Sequence, residues 1–241
     1  MIKLYQLPPL WGIPGFSQSC LKLETWLRMT GIPYEVAAPD FGVSPKGKVP
    51  YIEHNGTLIG DSTLILEYLK KAYAKDPDNE LGPHERAVSL AFRRMIKENL
   101  FWVAIQSRYF DDQGWGIYKK LVIALTAPDA PVEEQERRAA DFREYMRGQI
   151  RGHGIGRHTP HEIYEIGIAD ITAIGEFLGD KPYFMGDRPS TVDATIYAYM
   201  VNFIAPPIES PAKEHARKQG NLLNHCRRMQ QKYFPEVAVT Y

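Results

Sequence analysis

The sequence predicts a small α/β layer over residues 1–76 joined to an all-helical domain over residues 84–241. Three observations carry that reading. Short apolar runs in the first part are punctuated by Pro, Gly and Asn at strand and hairpin spacings. The stretch Lys75-Asp76-Pro77-Asp78-Asn79 is polar and turn-forming, a natural linker. Beyond it the apolar residues recur with helical period.

Within the first part, residues 2–7 (Ile-Lys-Leu-Tyr-Gln-Leu) have strand content and stop at Pro8-Pro9. A loop rich in Pro, Gly and aromatics follows, through Trp11, Gly12, Pro14, Gly15 and Phe16. A helix is predicted next: Ser17 or Ser19 caps it, Cys20, Leu23 and Leu27 recur at its spacing, and Gly31 with Pro33 ends it. Residues 34–37 read as a second strand. Residues 51–54 and 57–59 flank Asn55-Gly56, a specific hairpin signal. Asp61-Ser62 then cap an amphipathic helix carrying Leu64, Ile65, Tyr68, Leu69 and Ala72.

In the second part, residues 85–110 carry Val88, Phe92, Met95, Ile96, Leu100 and Val103 as one long stripe expected to be buried. A further helix is predicted over residues 132–150, opening acidic at Glu133-Glu134 and closing basic, as the helix dipole favours. Gly152-His153-Gly154-Ile155-Gly156 breaks it. Thr159-Pro160-His161-Glu162 starts another helix, with threonine at the cap, proline first and glutamate in the capping-box position. Ser190 and Asp193 set up one more capping box. No repeat and no low-complexity segment is evident.

Composition bounds the functional classes. An apolar fraction of 44% and a charged fraction of 24% are those of a globular chain. Lys plus Arg and Asp plus Glu both number 29, so no long-range field draws nucleic acid or anionic membranes. The two cysteines, Cys20 and Cys226, make no disulfide framework and fit a reducing compartment. The opening residues lack a signal peptide's apolar core, and no segment nears the ~20 apolar residues that span a bilayer. A cytoplasmic location is expected.

The chemistry-bearing residues fall in three pieces of the first domain: Ser17-Gln18-Ser19-Cys20 at a helix start, Lys48-Val49-Pro50 ahead of a strand, and Asp61-Ser62 at another helix start. In this order of signals the chain resembles the glutathione transferases. Their N-terminal domain is thioredoxin-like and their C-terminal domain all-helical, and both are implied here. The segments Cys20-Leu21-Lys22-Leu23-Glu24-Thr25, residues 152–160 (Gly-His-Gly-Ile-Gly-Arg-His-Thr-Pro), Leu178-Gly179-Asp180-Lys181-Pro182 and Phe184-Met185-Gly186-Asp187 resemble the Fax branch of that superfamily, which lies close to the metaxins. The resemblance runs over nearly the whole chain. It departs in the loop from Pro8 to Phe16, which is longer than in ordinary transferases, and in Gln18, where many relatives have proline.

The resemblance implies glutathione as co-substrate, with no metal required. A tripeptide can be held as an added strand by backbone groups, here by Val49 ahead of a cis Pro50. Ser62 would hold the γ-glutamyl carboxylate at a helix N-terminus and Asp61 the neighbouring ammonium. Lys48 is either a solvated charge or the partner of the glycine carboxylate. Ser17 stands where a Cys-x-x-Cys motif has its first cysteine, so it forms no mixed disulfide and argues against a thiol reductase. It is either a helix cap or the donor to the glutathione sulfur, and the resemblance favours the donor. Cys20 is expected to pack. Gln6 occupies the place where tyrosine-using transferases carry their tyrosine, and Tyr5 points to the other sheet face.

The aromatic residues Phe101, Trp102, Tyr109, Phe110, Trp115 and Tyr118 are expected to be largely core. Trp11, Tyr109, Trp115, Arg157 and His158 are the candidates for an apolar electrophile site. The run from Gly152 to Gly156 lacks the strand and the Lys-Ser/Thr ending of a phosphate loop. It reads as a tight crossing between helices. His153, His158 and His161 have no cysteine or carboxylate pair beside them, so no metal site is expected. Two functions follow: an enzyme conjugating glutathione thiolate to an apolar electrophile, or a non-catalytic glutathione-binding or interaction protein. A homodimer is implied by the superfamily alone.

Overall fold

A computed structural model describes residues 1–238 and 241. The elements run β1 (Ile2–Tyr5), α1 (Gln18–Thr30), β2 (Tyr34–Ala37), β3 (Tyr51–His54), β4 (Thr57–Gly60) and α2 (Ser62–Tyr73). There follow α3 (Pro83–Met95), α4 (Phe101–Ile105), α5 (Asp112–Thr126), α6 (Val132–His153), α7 (Pro160–Leu178), α8 (Thr191–Ile204), α9 (Pro211–Lys218) and α10 (Gly220–Tyr233). The chain groups into two compact units. The first comprises Met1–Arg93, Gly175–Pro206 and Gln219–Tyr241; the second comprises Arg94–Ile174 and Pro207–Lys218.

In the first unit the strands form a mixed sheet in the order β2-β1-β3-β4. β1 and β2 are parallel, with Ile2 opposite Tyr34, because α1 supplies the crossover between them. β3 is antiparallel to both β1 and β4. Asn55 and Gly56 both have positive φ, 50° and 76°, so the hairpin turn has the twist its flanking strands need. The strand predicted over residues 2–7 ends at Tyr5, although the Gln6 N–H still donates to the Ala37 carbonyl at 3.2 Å.

Ile2, Leu4 and Ile52 of the sheet pack with Leu23, Trp26 and Leu27 of α1, Ile65 and Leu69 of α2, and Ala194 of α8. Every residue of α8 is buried, the polar Thr191, Asp193, Thr195 and Asn202 included. The stretch read as a linker at residues 75–79 is instead docked. Asp78 is buried, accepts the Thr191 N–H at 2.7 Å and pairs with Lys70 at 3.2 Å. A carboxylate at the N-terminus of α8 satisfies one of that helix's unpaired donors, which polarity alone does not reveal.

The single long helix expected over residues 85–110 is interrupted. π-helical turns at Ile96–Leu100 and Gln106–Phe110 flank α4. Each inserts a residue into the helical period and rotates the stripe, so Ile96, Leu100 and Val103 are buried while the earlier Val88 is half-buried. α5 carries Gly114 because a Cβ there would lie 1.7 Å from the Ser107 carbonyl oxygen. After α6, the expected tight passage occurs at Gly156, where a Cβ would meet the Ile150 carbonyl carbon at 2.8 Å. Both capping boxes predicted from the sequence are present, Thr159 with Glu162 and Ser190 with Asp193.

Candidate functional site

Strand register gathers the three chemistry-bearing pieces. Tyr51, directly after Pro50, lies opposite Tyr5 at the end of β1 and opposite Gly60 at the end of β4. The β1–α1 loop with Trp11 and Ser17, the Val49-Pro50 turn and Asp61-Ser62 therefore emerge from one end of the sheet. The Val49-Pro50 peptide bond is cis.

Ser17 is the N-cap of α1, in extended backbone conformation, and its Oγ accepts the Cys20 N–H at 3.4 Å. Accepting leaves the hydroxyl proton available for donation. The Cys20 thiol is its present neighbour: burial pushes that thiol up to about 11, with the hydrogen bonds from Ser17 and from the Leu7 backbone working the other way. Cys20 is thus a packed, protonated thiol, as its place in the first turn predicts. Tyr5 stacks on Tyr51 with ring centroids 4.4 Å apart and donates to Glu53 at 3.1 Å. Gln6 is buried and donates to Glu24 at 2.6 Å.

Asp61 caps α2, accepting the Thr63 N–H at 2.8 Å and the Leu64 N–H at 3.2 Å on one carboxylate oxygen. It does so at φ 77°, an unusual backbone conformation for a residue with a side chain. Ser62 is buried beside it, in the first turn of the helix. Val49 is half-buried and Lys48 exposed. The loop before them is folded on the Ser44 hydroxyl, which donates to the Lys48 carbonyl at 2.6 Å and accepts its N–H at 3.0 Å.

Sequence reasoning missed Lys22. It is only 4% exposed, and its ammonium reaches the Thr63 hydroxyl at 3.5 Å, in the first turn of α2. The available signal was a lysine between Leu21 and Leu23, four residues after Gln18 and so on its helix face.

In the second unit, Tyr109 is buried among Trp115, Tyr118 and Phe142, with ring centroids 6.0, 5.0 and 6.0 Å away. Arg143 donates to the Tyr109 carbonyl at 2.7 Å and lies 4.9 Å over the Trp115 ring. Burial first, and then the neighbouring Tyr118, hold the Tyr109 hydroxyl well above the usual tyrosine range. Tyr109 and Trp115 are therefore brought together. Arg157 and His158 stand exposed on the turn after α6, His158 facing Glu162 at 3.8 Å. Among the described residues no group of three His, Cys, Asp or Glu side chains is placed to hold a metal. Among them, too, no helix is long and apolar enough to cross a membrane.

Residues 18–114 match the family model of the glutathione S-transferase N-terminal domain, and residues 167–229 that of the glutathione S-transferase C-terminal domain. The chain is 35% identical over 240 residues, covering 97% of itself and 99% of the relative, to an isoprene-epoxide–glutathione S-transferase of Rhodococcus sp. (strain AD45). It is 32% identical over 246 residues to Failed axon connections of Drosophila melanogaster, covering 98% of itself and 59% of that protein. It is 26% identical over 241 residues to Metaxin-1 of Homo sapiens, covering 93% of itself and 49% of that protein. Among solved structures, the beta-etherase LigF of Sphingobium sp. strain SYK-6 superimposes with a TM-score of 0.62 at 19% identity, over 95% of this chain and 94% of that one. A likeness at that identity carries the fold, a small mixed sheet with a helical C-terminal domain.

Proposed function

The chain belongs to the glutathione S-transferase superfamily, and on that premise we propose that it binds glutathione in its first unit and conjugates the thiolate to a small apolar electrophile. The observation that carries the reading is the register that collects Ser17, Val49-Pro50 and Asp61-Ser62 at one end of the sheet. The tripeptide backbone pairs with Val49 ahead of Pro50, Ser62 takes the γ-glutamyl carboxylate, and Lys48 takes the glycine carboxylate.

The Ser17 hydroxyl turns from Cys20 to the glutathione sulfur. A hydrogen bond to a charged acceptor contributes about 1.5–3 kcal/mol, which lowers a thiol pKa near 8.5 by about one to two units. The N-terminus of α1 acts in the same direction. A substantial thiolate fraction then exists at neutral pH.

An epoxide is the first electrophile class to examine, on the strength of the Rhodococcus relative's name. The sulfur attacks a ring carbon, a C–S bond forms, the C–O bond opens, and the alkoxide takes a proton from solvent. Trp11, Tyr109, Trp115, Arg157 and His158 remain the residues proposed for the electrophile. We place the protein in the cytoplasm as a homodimer.

The test is calorimetric titration with glutathione, followed by turnover of a panel of epoxides, aryl halides, enones and disulfides. Ser17→Ala is expected to keep glutathione affinity and lose about 10- to 100-fold in kcat/KM at neutral pH. Binding without turnover, equal in both proteins, selects a non-catalytic glutathione-binding role. The engagement of Ser17 as the α1 cap favours that second reading, because a cap needs no ligand.

A further inference from the structure

Gly148 lies within α6, more than a turn from either end, where glycine is the least favourable residue after proline. Nothing inside the molecule asks for it. A Cβ at Gly148, or at Gly152 one turn on, would meet nothing within 4 Å, and neither residue has a positive φ. Gly114 and Gly156, by contrast, are each pressed against a neighbouring backbone. At ~100° per residue, Gly148 points away from the buried Ala139 and Ile150 and so outward. Tyr145, three residues earlier and on the same face, is 52% exposed. Arg151, three residues later, is exposed too, and among the described residues its side chain has no hydrogen-bonding or ionic partner. Glu144 pairs within the helix, with Arg147 at 2.9 Å.

A cleared strip beside an aromatic ring, an unpaired guanidinium and a carboxylate fits a second helix running the opposite way. We propose that α6 is a contact between two copies of this chain, crossing antiparallel at Gly148. A two-fold axis there sets residue 151 of one copy opposite residue 145 of the other, and residue 152 opposite residue 144. Arg151 of each copy then meets the other copy's Tyr145 ring and Glu144 carboxylate, and symmetry makes the contact twice. Glycine at the crossing lets the two backbones approach. The chain's zero net charge adds no self-repulsion. A single helix crossing covers less than a permanent interface, so the association is weak and concentration-dependent. The inference rests on the homodimer reading above and names its contact.

Sedimentation equilibrium of the full chain compares wild type, Gly148→Gln, Arg151→Glu and the swap of Glu144→Arg with Arg151→Glu. Gly148→Gln and Arg151→Glu should each weaken the dimer about 10- to 100-fold, and the swap should recover most of the loss. Arg138→Gln, which removes a cation elsewhere on α6, should leave it unchanged. A thermal melt of each dilute variant checks folding. Gly148→Ala, which fills open space in a helix, should melt no lower than wild type and still weaken the dimer; it replaces Gly148→Gln if that variant does not melt cooperatively. A wild-type dimer that the Gly148 and Arg151 changes leave intact, or a swap that recovers nothing, overturns the proposal while leaving the homodimer reading standing. A wild type that is monomeric at every concentration removes both.

Discussion

Trp11 sits at φ 55° in a two-residue turn with Gly12 at φ 72°, closed by reciprocal Leu10–Ile13 hydrogen bonds of 3.3 and 3.1 Å. Asparagine and glycine suit that turn, whereas a bulky aromatic there carries backbone strain of about 1–3 kcal/mol. The ring itself is half-buried, meeting Phe16 edge-on at 6.2 Å. Trp11→Asn therefore exchanges lost ring contacts for relieved strain. Chemical denaturation should find it within about 1 kcal/mol of wild type, against the 3–5 kcal/mol usual for truncating a packed aromatic. If the ring serves the proposed electrophile site, kcat/KM for the epoxide falls in the same variant while glutathione affinity holds. Sequence placed Trp11 in this loop but not its φ, because the turn is defined by the Leu10–Ile13 pairing and no Asn-Gly marks it.

At the scale of elements, α8 shows how a local signal grows in the fold. Ser190 and Asp193 read as a capping box, and the box is there, Asp193 accepting from the Ser190 N–H at 2.8 Å and hydroxyl at 2.9 Å. The same carboxylate also accepts the Phe184 N–H at 2.7 Å and meets His225 Nε2 at 2.9 Å, with both side chains fully buried. Those two partners come from a preceding loop and from α10, so no spacing rule connects them to Asp193. Asp193→Ala strands buried donors on three segments. A loss of about 3–5 kcal/mol is expected, far above the ~1 kcal/mol of an isolated cap; a urea midpoint shift in the range of a simple cap would mean the buried pair contributes nothing. The strands were legible for the opposite reason: Asn55-Gly56 and the β2 run are short-range signals, decided within a few residues.

For the molecule as a whole, pH couples to stability through Asp170. Burial holds its carboxyl up at about 6 against the ordinary 3.8, with the Asn99 amide, donating at 2.7 Å, working the other way. A raised folded value means the native chain holds this proton more tightly than the unfolded chain. The stabilisation is complete below about pH 4 and is lost as pH rises through about 6. Asp170→Asn should thus raise the melting temperature at pH 7.5 and change it little at pH 4. After allowance for the group's partial exposure, the gain is about 1 kcal/mol. Melts that shift equally at both pH values would remove Asp170 from the account.

What the sequence determined by itself is whatever local chemistry decides: the strand–helix–strand–hairpin order, the caps at Ser17, Asp61, Thr159 and Ser190, the cysteine packed in the first turn of α1, and the three pieces that carry the family likeness. Tertiary structure alone decided which distant segments share an interior. It placed α8 in the core of the first unit, docked Asp78 onto Thr191, split the long helix with π turns, and buried Lys22 against α2. The burial of α8, the docking of Asp78 and the burial of Lys22 each depend on a partner that lies far along the chain. Periodicity and capping report only what a residue does to its own turn, so burial of a charge or a whole helix is settled when the partners meet.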